Sequence, residues 1–156
     1  MSTSPETANN NDLPVFAGVV RHVVDENHRV TVPSRWRHGG MSRLYALPDP
    51  RQPALVLMTA DEMAKVQAKV ESDPSIPPSD ARVFVRQLFS SASPCPMDKQ
   101  GRLVLPAPEC SRLGLYGEVV LAGSGTRVEV WNPSQWEAQQ AKEQFTLTDI
   151  AERIGF

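Results

Sequence analysis

The sequence predicts an α+β protein made of two tandem β-rich units, each followed by helix, and three observations carry that reading. A nine-residue phrase, Asp98-Lys99-Gln100-Gly101-Arg102-Leu103-Val104-Leu105-Pro106, has an imperfect copy in Asp25-Glu26-Asn27-His28-Arg29-Val30-Thr31-Val32-Pro33. The offset of 73 residues from Asp25 to Asp98 also places Phe16 on Phe89 and Leu55-Val56-Leu57 on Val128-Glu129-Val130. Further along, Thr59 falls on Asn132, Glu62 on Gln135 and Met63 on Trp136, so both copies pass from a strand to a capped helix start. Self-similarity at a fixed period marks a repeated supersecondary unit. Units of about 55 residues bury too little apolar surface to be stable alone, so the two are expected to share a core.

Residues 1–13 are polar, with three consecutive asparagines, and are expected to be a disordered tail. The first unit, residues 16–66, opens with the β-branched run Gly18 to Val24, turns at Asp25 to His28, and continues as Arg29-Val30-Thr31-Val32 until Pro33 removes a ladder donor. This predicts a β-hairpin with a charged turn, Val30 and Val32 sharing one face. Ser34 to Arg37 predicts a short helical turn stopped by Gly39-Gly40, and Leu44 to Leu47 and Leu55 to Met58 predict two more strands. From Thr59, a capping box leads into a helix with Met63, Val66 and Val70 on one side.

Residues 72–80, with Pro74, Pro77 and Pro78, read as a stiff connector, after which Asp80 is expected to cap a helix from Ala81 to about Phe89. The second unit, residues 85–134, repeats the plan: the turn Asp98 to Gly101, strands Arg102 to Leu105, Glu118 to Ala122 and Arg127 to Trp131, and a Gly-Ser-Gly turn. Residues 135–156 complete the chain as helices, the first starting at Asn132-Pro133 and the last spanning about Leu147 to Ile154. That last segment resembles the opening of a helix-turn-helix, but no recognition helix follows, so it reads as a docking helix.

Composition and spacing exclude several classes. A net charge of −2 gives no global attraction to polyanions, so nucleic-acid binding must rest on local charge. No apolar run is long enough to span a bilayer and no leader pattern opens the chain, which reads as cytosolic. Cys95 and Cys110 lack ligand or redox spacing and read as ordinary thiols; His22, His28 and His38 match no metal-ligand pattern. With no phosphate loop, HExxH or nucleophile elbow, no catalytic residue, metal, cofactor or small-molecule substrate is expected. The three tryptophans, Trp36, Trp131 and Trp136, are expected to pack in the core or a subunit interface.

The paired Asp-x-x-x-Arg-φ-x-φ-Pro phrases, the Phe16-x-Gly18 opening, and Leu121-x-Gly123 through Glu129-x-Trp131 and Trp136 together resemble the MraZ family. The resemblance covers roughly Pro14 to Gln140. It implies tandem AbrB/SpoVT-like swapped-hairpin units forming an intrachain pseudo-dimeric barrel. It further implies a sequence-specific regulator that binds double-stranded DNA in cytoplasm and nucleoid, assembles as a homo-oligomeric ring, and controls its own promoter at the head of a division and cell-wall gene cluster. The family's DNA contacts carry over to Lys99 and Arg102, and to Arg29 in the first copy. There Asn27-His28 replaces the usual Lys-Gly, which weakens phosphate attraction and allows a differently shaped turn.

The residues support this independently in one region. Between Pro14 and Arg43, Arg21, Arg29, Arg35, Arg37 and Arg43 face only Asp25 and Glu26. Arginine beside a turn on a two-stranded ribbon can fork to guanine in a major groove or bind phosphate. The bland alternative is that Asp25 pairs with Arg29, and Asp98 with Arg102, only to hold each turn; in a mixed role the aspartates orient while the arginines bind. The candidate DNA-binding residues are therefore Arg21, Asn27, His28, Arg29, Lys99 and Arg102. A rival reading is a ring-forming scaffold that has kept the fold and lost DNA binding.

Overall fold

The computed structural model describes residues 15–156, so the expected tail lies outside the described residues. The order is β1 (Val19–Val24), β2 (Arg29–Thr31), a 3-10 turn (Ser34–Trp36), β3 (Arg43–Pro48), β4 (Ala54–Met58), α1 (Ala60–Ser72), α2 (Pro78–Ser91), β5 (Ser93–Pro96), β6 (Arg102–Val104), α3 (Ala107–Leu113), β7 (Gly117–Gly123), β8 (Arg127–Trp131), α4 (Pro133–Lys142) and α5 (Thr146–Ile154). Shifting β2 and β4 by 73 residues gives β6 and β8 residue for residue. The caps agree as well. Thr59 Oγ1 accepts from the Glu62 amide at 3.1 Å, and Asn132 Oδ1 accepts from the amides of Ser134 and Gln135.

Strands pair across the units. An antiparallel six-stranded sheet runs β1-β7-β8-β4-β3-β5, and β2 pairs with β6 in a separate antiparallel ribbon. Val56 lies opposite Glu129 and Val30 opposite Leu103, each pair 73 residues apart, so one pseudo-twofold axis passes through both pairs. β1 on β7 and β5 on β3 are its symmetry equivalents.

Several expectations are corrected. β1 and β2 do not pair as a hairpin, although Asp25 and Arg29 still close the turn; a two-stranded hairpin is marginal alone, and exchange lets each unit bury strands against the other. The sheet is open rather than a closed barrel, with β1 and β5 at its edges. β5 was concealed by Pro94 and Pro96, which an edge strand tolerates because an amide on its outer side needs no ladder partner. α3 is too short for a periodic signal and stops at Gly114 in the left-handed region. α1 extends through Ser72 and α2 starts at Pro78, leaving Asp73 to Pro77 between them, and Asp80 lies inside the first turn rather than capping it. Phe89 is on α2 and exposed, whereas Phe16 is buried and bridges Gly125, so that equivalence fails.

The sheet separates two sides. Facing the ribbon, Leu44, Leu55, Leu57, Val119, Leu121, Val128 and Val130 pack with Val30, Val32, Leu103 and Leu105 and with Phe16 and Trp36. On the other face, Leu47, Val56 and Met58 meet Met63 and Leu88, and Ala54, Val120 and Trp131 meet Trp136. Every residue of β4 is buried, because alternate side chains serve the two sides. Trp36 and Trp131 are core residues, as expected, and Trp36 Nε1 donates to the Ala17 carbonyl. No helix among the described residues is long and apolar enough to cross a membrane.

Candidate nucleic-acid interface

The two Asp-to-Arg turns are built alike down to single hydrogen bonds. Asp25 Oδ1 accepts from the Asn27 and Arg29 amides, both at 2.9 Å, and Oδ2 accepts from Arg29 Nε at 2.8 Å. Asp98 Oδ1 accepts from the Gln100 amide at 3.0 Å and the Arg102 amide at 2.8 Å, and Oδ2 from Arg102 Nε at 2.7 Å. The amide of Arg29 holds the Asp25 carboxyl below its ordinary value of 3.8, and that of Arg102 does the same to Asp98, each helped by its guanidinium.

The altered first turn keeps its shape. His28 takes φ 62°, where Gly101 takes φ 84°, and the His28 and Gly101 amides donate back to Asp25 and Asp98 at 2.9 and 3.0 Å. His is among the residues that enter the left-handed region more readily than most, so the substitution is accommodated.

Period two sets what the ribbon presents. Val30 and Leu103 point into the core, so Arg29, Thr31, Arg102 and Val104 point out, with Arg29 opposite Val104 and Thr31 opposite Arg102. Two strand rises, about 7 Å, separate the two arginines along the ribbon. Each guanidinium is tied at Nε, while its Nη1 and Nη2 have no hydrogen-bond partner among the described residues. Each fork is thus aimed and still able to donate.

The remaining candidates fall in different places. Asn27 and Lys99 are exposed at the turn tips, and Lys99 has no ion-pair partner among the described residues. His28 is half-buried, 6.3 Å from the Tyr116 ring, with Nδ1 shielded and unpartnered. Arg21 lies on β1 and binds Glu137 at 3.0 Å and Glu118 at 3.6 Å, away from the turn tips. Sequence reasoning counted Arg37 only as local charge, yet its guanidinium packs over Gly101, where an added Cβ would approach it to 2.6 Å. Thr31 and Val104 were also missed as ribbon-face residues, although strict alternation from the buried Val30 and Leu103 identifies them. Cys95 and Cys110 are free and buried, and the described residues hold no cluster of three or more potential metal-binding side chains.

Fold and site together define a class: tandem α+β units that exchange strands about a pseudo-dyad and expose an arginine-bearing two-stranded ribbon on one side of a shared sheet. A family model described as "MraZ protein, putative antitoxin-like" matches residues 88–154. The protein named "Transcriptional regulator MraZ" of Acetivibrio thermocellus is 34% identical over 141 residues, covering 90% of this chain and 97% of the relative. Its namesakes from Desulforamulus reducens and Alkaliphilus oremlandii are 35% and 32% identical, again over 90% of this chain and 97% of theirs. The chain belongs to the MraZ family.

Proposed function

We propose that this protein is a transcriptional regulator that binds double-stranded DNA through the outward face of the β2-β6 ribbon. The observation that carries this reading is the pair of Asp-oriented arginines, Arg29 and Arg102, related by the pseudo-dyad and each with its terminal nitrogens free among the described residues. A carboxylate that fixes Nε restricts the side chain before DNA arrives, which lowers the ordering cost of a bidentate contact. Lys99, Asn27 and His28 at the turn tips contribute phosphate and groove contacts, and Arg21, tied to two glutamates, contributes least.

A single ribbon offers few phosphate contacts and binds weakly. The protein acts as a homo-oligomeric ring on repeated short boxes in its own promoter, at the head of a division and cell-wall gene cluster, in the cytoplasm and nucleoid. Linking several ribbons raises the effective concentration of each for its box. The relatives' name supports the regulatory role; the ribbon geometry supports the mode of contact.

The test is fluorescence anisotropy on DNA from upstream of the gene and on scrambled DNA, at several salt concentrations, with an Arg29→Ala, Arg102→Ala double variant. Selective, salt-sensitive binding lost in the folded variant is the expected result. Absence of selectivity, or a variant that binds as wild type does, would favour a ring-forming scaffold.

A further inference from the structure

Helix α5 is well formed but buries none of its residues against the chain. Phe145, Leu147, Ile150, Ile154 and Phe156 are all exposed, Leu147 at 82% and Ile154 at 71%. Leu147, Ile150 and Ile154 recur at i, i+3 and i+7 and so form one stripe along the helix. Scattered exposed apolar residues are ordinary, but a contiguous stripe on an undocked helix is not.

The tandem repeat shows what is missing. α1 and α4 occupy equivalent places after β4 and β8, and each is followed by a second helix, α2 and α5. α2 packs on α1 and β3, with Leu88 against the Leu47, Val56 and Met58 cluster. α5 has no such place on its own chain. Only three residues, Glu143 to Phe145, link it to α4, and they are closed by the Glu143, Thr146 and Asp149 amides bonding to Gln139, Glu143 and Phe145. This turn carries α5 away from the sheet.

A receptor of matching character lies on the helix side. A groove of about 930 Å³ runs between α2 and the sheet, with Leu47, Val56, Met58, Val66, Phe84 and Leu88 among its apolar lining. Its wall α2 carries exposed Arg82 and Arg86, and α5 carries exposed Asp149 and Glu152 beside its stripe, so the charges are complementary. Gln139 and Glu143 of α4 also line the groove, yet no residue of the chain's own α5 does.

We propose that α5 of one copy seats its Leu147-Ile150-Ile154 stripe in the α2 groove of a second copy. The contact is heterologous, because helix and groove are different surfaces of the same chain. Such contacts propagate head to tail and close into a ring when the rotation permits. Because the groove lies on the sheet face opposite the β2-β6 ribbon, assembly leaves every ribbon uncovered. The inference gives the ring of the proposed function its contact surfaces, and it stands or falls without DNA.

The experiment is light scattering after size exclusion on the full chain, with two variants. Leu147→Asp with Ile150→Asp spoils the stripe, and Phe84→Asp spoils the groove; all three positions are exposed, and circular dichroism checks folding. Wild type is expected to be a multimer and each variant alone a monomer. Mixed together, the variants keep one intact stripe and one intact groove between them, and should form a two-chain species that grows no further. A monomeric wild type, a variant that still assembles fully, or a mixture that stays monomeric would overturn the proposal. Loss of DNA selectivity in wild type, with this assembly pattern intact, would instead count against the regulator reading alone.

Discussion

His28 and Gly101 occupy one left-handed backbone position in the two halves of the molecule, and each ties its unit to the other. The His28 carbonyl accepts from the Leu105 amide and the Gly101 carbonyl from the Val32 amide, both at 2.8 Å. The peptide at each position is therefore held from its own turn and from across the dyad.

That relationship sets the first expectation. A left-handed backbone costs a residue with a Cβ about 1–2 kcal/mol. His28→Gly should leave stability unchanged or raise it by up to about 1 kcal/mol, since the gain is partly offset by the flexibility of glycine when unfolded. Gly101→Ala should lower it by about 1–2 kcal/mol, because the methyl also meets Arg37. Urea unfolding of the two variants measures both.

Acid should weaken the turns in a defined window. The folded Asp25 and Asp98 carboxyls titrate below their ordinary value of 3.8. A depressed folded value means that their contribution is complete above the unfolded value and is lost as pH falls through the folded one. Stability should therefore decline below about pH 4, and Asp25→Asn with Asp98→Asn should flatten that decline. Urea midpoints between pH 2 and pH 6 give the comparison.

DNA contacts should separate by type. Lys99→Ala should weaken binding evenly across sequences and reduce the salt slope by about 1. Arg102→Ala should cost about 1–3 kcal/mol on the preferred box and relax its base preference. Asp98→Asn removes a negative charge, yet it should reduce selectivity because Arg102 loses its orienting partner. Anisotropy titrations on specific and scrambled DNA read all three.

Both thiols should be unreactive in the folded protein. Burial pushes Cys95 up to about 11 and raises Cys110 as well. Since the thiolate is the nucleophile, a chromogenic disulfide at pH 8 should label neither cysteine until denaturant is added. Rapid labelling of native protein would show the β5 edge opening readily.

Gly123 is the least replaceable glycine. A Cβ there would sit 2.4 Å from the Phe16 carbonyl oxygen, a backbone atom fixed by the Phe16 and Gly125 bridge. Gly123→Ala should cost about 1–3 kcal/mol, towards the upper end because neither side can rotate away. Thermal unfolding provides the check.

Much of the site was legible because its signal is local. The Asp25 and Asp98 turns, the arginines that follow, and the alternation that points Val30 and Leu103 inward are all set within a few residues. So were the caps at Thr59 and Asn132. β5 and α3 were missed because proline and short length mask local signals, and Arg37 because its role depends on contact with a turn more than sixty residues away.

By itself, the sequence determined the repeat, the α+β class, the strands β1 to β4 and β6 to β8, the capped helices and the two arginine turns, since backbone preference and hydrophobic period act over short distances. Tertiary structure alone decided that β1 leaves its neighbour for β7, that β2 and β6 form a ribbon, that the sheet stays open, and that α5 stands apart. Those choices depend on which distant surfaces together bury the most apolar area, and no local pattern records that comparison.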